Sequence, residues 1–184
     1  MIYMFLANGF EEVEALAPLD LLRRAGCEVT TVGIGGDMIL GAHGIAVQAD
    51  IPETLFRDSK PEMIILPGGM PGTRHLDEST TVHTALRAAN ANGAYLAAIC
   101  AAPMVLGKRG YLVGKHAVCY PGFEEYLSGA ILPTQGERVI VDGNIITAAG
   151  MGVALEFGFA LVSLLKGNEA ADALRVATIA EKHG

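Results

Sequence analysis

The segment Ala97-Ala98-Ile99-Cys100-Ala101-Ala102-Pro103 places one cysteine between pairs of small residues, after an apolar run and before a proline. That is the pattern of a strand reversing sharply into a helix. Such a turn forces its central residue toward strained backbone angles and crowds the positions two before and two after it. Hydrolases that set a serine there keep those flanks small. Here the flanks are Ala98 and Ala102, so the steric condition is met with a thiol as the nucleophile. The helix that follows would aim its free N–H groups at the sulfur and favour thiolate. A buried cysteine beside a crowded turn fits the same local pattern.

Glu14 is the natural partner. At helical spacing it shares a face with Pro18, Leu21, Leu22 and Ala25, while Glu11 and Glu12 can face water near the helix start. A carboxyl on an apolar stripe must be protonated or paired. A thiolate at the top of a neighbouring strand would pair with it, a neutral Glu14 donating a hydrogen bond to the sulfur. The alternative is a partly exposed acid beside a kink at Pro18. Gly68-Gly69, after another apolar run, reads either as an ordinary turn or as backbone that approaches a ligand closely. With the N–H of Ala101, the Gly69 N–H could hold a developing oxyanion. A phosphate role is weaker, because no Lys-Ser/Thr follows and no G-x-G-x-x-G pattern occurs.

The five histidines supply no evident base. His83 and His183 read as solvated helix residues, His116 as a strand-edge residue, and His43 and His75 as loop residues bordering the strand tops. No Cys-His-acid triad stands out.

The elements that would position these groups alternate along the chain. Apolar segments at 2–7, 28–34, 62–69 and 94–99 read as strands, and 115–120 looks like another. Helical patterns run to Arg24 (with Gly26 as the stop), near 79–91, after Cys100, and over about 152–166 and 169–182. Hairpins are expected at 38–50 and at 138–148, the second around Val141-Asp142-Gly143-Asn144-Ile145. Apolar strands alternating with helices imply an α/β fold, a mainly parallel sheet covered on both faces with hairpins at its margins. Ligands in such folds sit at the carboxyl ends of the strands. Ala7-Asn8-Gly9, Pro67-Gly68-Gly69 and Ile99-Cys100 all end there.

The 184 residues fit one domain, 1–184, with no linker or repeat. A net charge of −7, from 13 basic and 20 acidic residues, disfavours nucleic acid as a stable partner. No apolar run approaches a membrane span, and the start lacks a basic region like that of a signal peptide, so a cytoplasmic location is expected. The three cysteines, Cys27, Cys100 and Cys119, read as thiols of a reducing compartment, without metal-ligand spacing. The 51% apolar fraction points to an interface, hence a homodimer.

Along its whole length the chain resembles the DJ-1/PfpI (ThiJ) superfamily, on the DJ-1-like branch. The segments NGFEEVEALAPLDLLRRAG, MIILPGGMPGTRHL, AAICAAP and AAGMGVALEFGFALV carry the resemblance, and the joint occurrence of Glu14, Gly68-Gly69 and Cys100 makes it specific. It implies a flavodoxin-like three-layer sandwich and a homodimer without cofactor or metal. Cys100 would be the reactive cysteine, Glu14 its protonated partner, and Gly69 and Ala101 the backbone oxyanion donors.

Two positions depart from the family pattern. Close relatives carry a histidine twenty residues after the cysteine, where this chain has Tyr120 before Pro121. A phenol with its ordinary pKa near 10 is a poor general base at pH 7. His43 stands where some members place an anion-binding arginine, whereas Arg24 retains the other. Proteases of the wider family have histidine directly after the cysteine. Ala101 stands there instead, which disfavours proteolysis. The resemblance thus implies glyoxalase- or deglycase-type action on small 2-oxoaldehydes or glycated adducts. Its alternative is a non-enzymatic oxidative-stress sensor or chaperone using the same cysteine.

Overall fold

The computed structural model describes residues 1–57 and 60–180. Its centre is a seven-stranded sheet in the order β5-β2-β1-β6-β7-β9-β8. Strands β1 (Ile2–Ala7), β2 (Val29–Ile34), β5 (Ile51–Pro52), β6 (Met63–Leu66), β7 (Tyr95–Ile99) and β9 (Ile145–Ala148) run parallel. Only β8 (Val139–Asp142), hairpin partner of β9, is antiparallel. A separate hairpin joins β3 (Met38–Leu40) to β4 (Ala46–Gln48).

Every residue of β1 is buried because the strand serves two cores. Ile2, Met4 and Leu6 point to one face, where helices α1 (Glu12–Arg24) and α5 (Ala154–Lys166) pack with Leu21, Leu22, Phe157 and Phe159. Tyr3, Phe5 and Ala7 point to the other, with Leu86 of α3 (Thr80–Ala91) and Val105 of α4 (Pro103–Gly107). The side-chain period of two thus yields an all-apolar strand once both faces are covered. This is the three-layer α/β sandwich expected from the alternation of strands and helices. Helices α2 (Gly72–Glu78) and α6 (Asn168–Ala177) complete the two outer layers.

Close approach of α1 and α5 depends on Gly158. A Cβ there would lie 2.7 Å from Leu21 Cδ1 and 3.0 Å from Pro18 Cα. Pro18 sits inside α1 without an N–H, and the helix continues through it to Arg24.

Several sequence-based expectations are corrected. Residues 115–120 form no strand; His116 makes only an isolated bridge to Ile131. Side chains take the donors a ladder would need: His116 N–H bonds Asp142 at 2.8 Å and Val118 N–H bonds Thr147 Oγ1 at 2.9 Å. His75 lies in α2, a helix not anticipated, with its Nδ1 2.8 Å from the Asn8 carbonyl oxygen. The helix after Cys100 has only five residues, and α6 ends at Ala177 instead of 182. His183 lies outside the described residues. No helix among the described residues is long and apolar enough to cross a membrane.

Candidate functional site

Three strand tops converge. Cys100 follows β7 with φ +63°, a left-handed angle that a non-glycine residue adopts only under constraint. Its N–H is tied to Ala148 O at 2.8 Å and its carbonyl accepts the Tyr120 N–H at 2.8 Å. Ala98 and Ala102 are both fully buried, so larger side chains two positions away on either side would not fit the bend. The turn is therefore a sharp elbow with a half-buried thiol at its apex.

Glu14, 1% exposed, reaches this thiol from α1 and hydrogen-bonds to it. Its helix start is capped by Glu11, whose carboxylate accepts the Glu14 N–H at 2.7 Å. The Glu14 carboxyl accepts the Gly68 N–H at 3.1 Å and a further N–H from Met151. Gly68 has to be glycine: a Cβ there would lie 2.5 Å from Glu14 Oε2 and 2.6 Å from Cys100 Cβ. Gly69 has φ +87° and, with Ala101, directs its backbone N–H at the sulfur. The structure thus brings Cys100, Glu14, Gly68, Gly69 and Ala101 into one cluster.

The electrostatics follow from burial. Loss of water raises the Glu14 pKa to about 7; the Cys100 hydrogen bond works against this, Glu11's charge adds to it, and the Gly68 and Met151 donors oppose it. Burial also pushes the Cys100 thiol up, to about 12, reinforced by the charge and hydrogen bond of an ionised Glu14 and opposed by the Gly69 and Ala101 N–H groups. What the site resists is a second negative charge, so near pH 7 the pair holds at most one. When the proton sits on Glu14, the repulsion that raises the thiol is gone and the two N–H donors face a thiolate. Burial also raises Cys27, and raises Cys119 to about 11 with the charge of Glu124 adding to it.

Tyr120 borders this cluster. Its ring carbons lie 3.3 and 3.8 Å from where a Gly150 Cβ would stand, and Glu14 Oε1 lies 4.0 Å from the same point. The space that a Gly150 side chain would fill thus lies against both the ring and Glu14. Half of Tyr120 is exposed, and it lines a cavity of about 340 Å³ with Arg138, Ala149, Gly150, Met151 and Val153.

Glu12 does not face water. It is 3% exposed and accepts the His43 N–H at 2.7 Å and the Ile45 N–H at 3.4 Å, with His43 Nδ1 at 2.8 Å. The loop between β3 and β4 turns its N–H groups inward, and Glu12 supplies their acceptor. Burial opposes ionisation of Glu12, yet the His43 bonds hold its pKa below the ordinary value, while Glu12 raises that of His43. Glu11, Glu12 and His43 are, among the described residues, the one group with metal-binding geometry. Their oxygens already accept N–H groups of α1 and of the hairpin loop, so the trio serves as a clasp between these elements. Arg24 pairs with Asp20 at 2.6 Å on the exposed side of α1 and takes no part in the cluster.

The helical wheel around Glu14 pointed toward the Cys100 contact. The Met151 donor, the Glu12–His43 clasp and the nearness of Arg138 had no local sequence signal, since each joins segments far apart in the chain.

A model of the DJ-1/PfpI family matches residues 1–164. Drosophila melanogaster protein dj-1beta is 36% identical over 167 residues, covering 90% of this chain and 89% of the relative. A structure of oxidised Toxoplasma gondii DJ-1 superposes with a TM-score of 0.91 at 32% identity, covering 97% of each chain. A glutathione-independent glyoxalase of Caenorhabditis elegans is 28% identical over 164 residues, covering 89% of this chain and 87% of the relative. With this sheet order, this elbow and these relatives, the chain belongs to the DJ-1/PfpI family.

Proposed function

We propose that the protein is a cofactor-independent cysteine enzyme acting on small 2-oxoaldehydes or their glycated adducts, in the manner of a glyoxalase or deglycase. The observation that carries this reading is the contact between Cys100 and Glu14, with Gly69 and Ala101 N–H groups on the same sulfur. Similarity to a relative named as a glyoxalase supports it. The Cys100 sulfur attacks the aldehyde carbon, the carbonyl electron pair moves onto oxygen, and the Glu14 proton completes a hemithioacetal. Glu14 then takes the proton from the former aldehyde carbon and returns it to the neighbouring carbon, while the hydroxyl proton passes to the neighbouring oxygen, leaving a thioester. Water hydrolyses that thioester to a 2-hydroxy acid and frees the thiol. Backbone N–H groups of Gly69 and Ala101 stabilise the oxygen that becomes negative. Tyr120 lines the entrance and offers a hydroxyl donor.

A second reading, an oxidative-stress sensor, is favoured by one feature. Cys100 is half-buried, whereas Cys27 and Cys119 are buried. A sulfinate at Cys100 would accept the hydrogen bond of a protonated Glu14. We also propose a homodimer. Val13 on α1 is 45% exposed, and Leu155 and Ile179, at 48% and 76%, edge a cleft with α1 residues Ala17 and Leu21. Apolar side chains exposed on α1, on α5 and just beyond α6 suit a second copy of the same face.

Lactate formed from methylglyoxal by the purified protein tests the enzyme reading. Cys100→Ser abolishes turnover in a folded protein, because an unactivated hydroxyl is a far weaker nucleophile. Glu14→Gln lowers turnover by about 10²-fold or more, the range for lost general acid–base participation. Tyr120→Phe changes it by less than about tenfold, or roughly 1.4 kcal/mol of barrier. A larger loss from Tyr120→Phe than from Glu14→Gln would overturn the assignment of the base. For the sensor reading, intact mass after mild peroxide shows two oxygens on Cys100 with Cys27 unmodified; equal oxidation of all three thiols contradicts it. Sedimentation at micromolar concentration gives twice the 19.2 kDa chain mass, and a monomer excludes the dimer.

A further inference from the structure

The cavity beside Tyr120 shares a wall with the reactive pair. Residues Ala149 to Val153 form that wall. On one side Met151 gives its N–H to Glu14, and Gly150 lies against the same carboxyl. On the other side is the cavity of about 340 Å³, which suits a molecule of a few heavy atoms. Its lining residues are uncharged apart from one, the exposed Arg138.

Arg138 is fixed to this wall. Its carbonyl accepts the Ala149 N–H at 2.8 Å, and the next residue, Val139, pairs with Ala148 in the β8–β9 ladder. Its guanidinium has no ion pair among the described residues. By contrast, Arg23, Arg24 and Arg109 are bound to Asp50, Asp20 and Asp77. A chain of net charge −7 repels anions in general, so an unpaired cation on the rim of an apolar cavity decides locally which charge is admitted. One planar guanidinium matches one carboxylate in bidentate geometry.

We propose that Arg138 is the anion anchor of the cavity beside the Cys100 site and that the carbonyl substrate of this site carries a carboxylate. The inference rests on the aldehyde-addition reading above and narrows its substrate class. With the carboxylate on Arg138, a short chain running past Tyr120, whose N–H bonds the Cys100 carbonyl at 2.8 Å, carries its carbonyl group toward the sulfur. A neutral 2-oxoaldehyde lacks this contact and is held less firmly.

Iodoacetate and iodoacetamide test this without requiring turnover. Both alkylate a thiolate by the same displacement of iodide, and they differ in carrying a carboxylate or a neutral amide. The rate of Cys100 modification by each, followed by peptide mass, gives a ratio for wild type, Arg138→Gln and Arg138→Lys. Thermal unfolding confirms that each variant is folded. The anchor predicts that the iodoacetate-to-iodoacetamide ratio falls at least about fivefold in Arg138→Gln. Arg138→Lys recovers part of it, and added salt shrinks the wild-type ratio. An unchanged ratio in folded Arg138→Gln overturns the anchor alone and leaves the reactive thiol standing. A fall in both rates at constant ratio also overturns it, since Arg138 would then act on the thiol and not on charge. If neither reagent modifies Cys100 in the wild type, the reactive-cysteine reading fails and this inference falls with it.

Discussion

A carboxyl and a thiol share one hydrogen-bonded contact under a lid of backbone, and only one negative charge fits between them. Burial raises both groups, Glu14 to about 7 and Cys100 to about 12, because each ionised form sits close to the other with little water to screen it. The proton that remains is mobile across a single hydrogen bond. Wherever it rests, the atom opposite holds the charge, and backbone N–H groups surround both ends: Gly68 and Met151 at the carboxyl, Gly69 and Ala101 at the sulfur. Reactivity follows from the arrangement in which the sulfur holds the charge.

Much of the surrounding architecture serves to keep those two side chains together. The left-handed turn at Cys100 lifts the sulfur above the sheet, and it persists because Ala148 and Tyr120 grip its backbone on either side. Glu14 arrives on a helix pressed against α5 by the missing side chain of Gly158, and its first turn is fixed by Glu11 and by the Glu12–His43 clasp. Gly68 leaves the space in which the two groups meet. These constraints act on different segments, so the contact does not depend on any one loop. A carboxyl buried this deeply would be unfavourable in isolation; the Gly68 and Met151 N–H groups and the Cys100 sulfur convert it into a defined proton store.

The parallel sheet was legible in the sequence because its strands are buried on both faces and read as unbroken apolar runs. The elbow was legible from the small residues around Cys100, and Glu14 from one polar position on an apolar helix stripe. Residues 115–120 misled for the opposite reason. Their apolar character is real, with Ala117 and Cys119 buried, but Asp142 and Thr147 side chains take the N–H groups that a ladder would have used. Glu12 misled because two adjacent acids near a helix start suggest solvent, and nothing local reveals that a hairpin loop thirty residues on needs an acceptor. Contacts that join distant segments, such as Met151 with Glu14 or Arg138 with the cavity wall, leave no periodicity to read.

The charge on the pair is best followed by the ultraviolet absorbance of thiolate against pH, taken as the difference between wild type and Cys100→Ser under reductant. If the proton rests on Glu14 and the charge on sulfur, thiolate absorbance is already present at pH 7 and titrates away only in acid, with a midpoint in the ~3.5–7.5 range of activated cysteines. The difference signal is then displaced to higher pH when Glu14 is replaced by Asp, which shortens the reach to the sulfur. A Cys100 that shows no thiolate until the pH approaches 12 would place the charge on Glu14 throughout the neutral range and contradict the account.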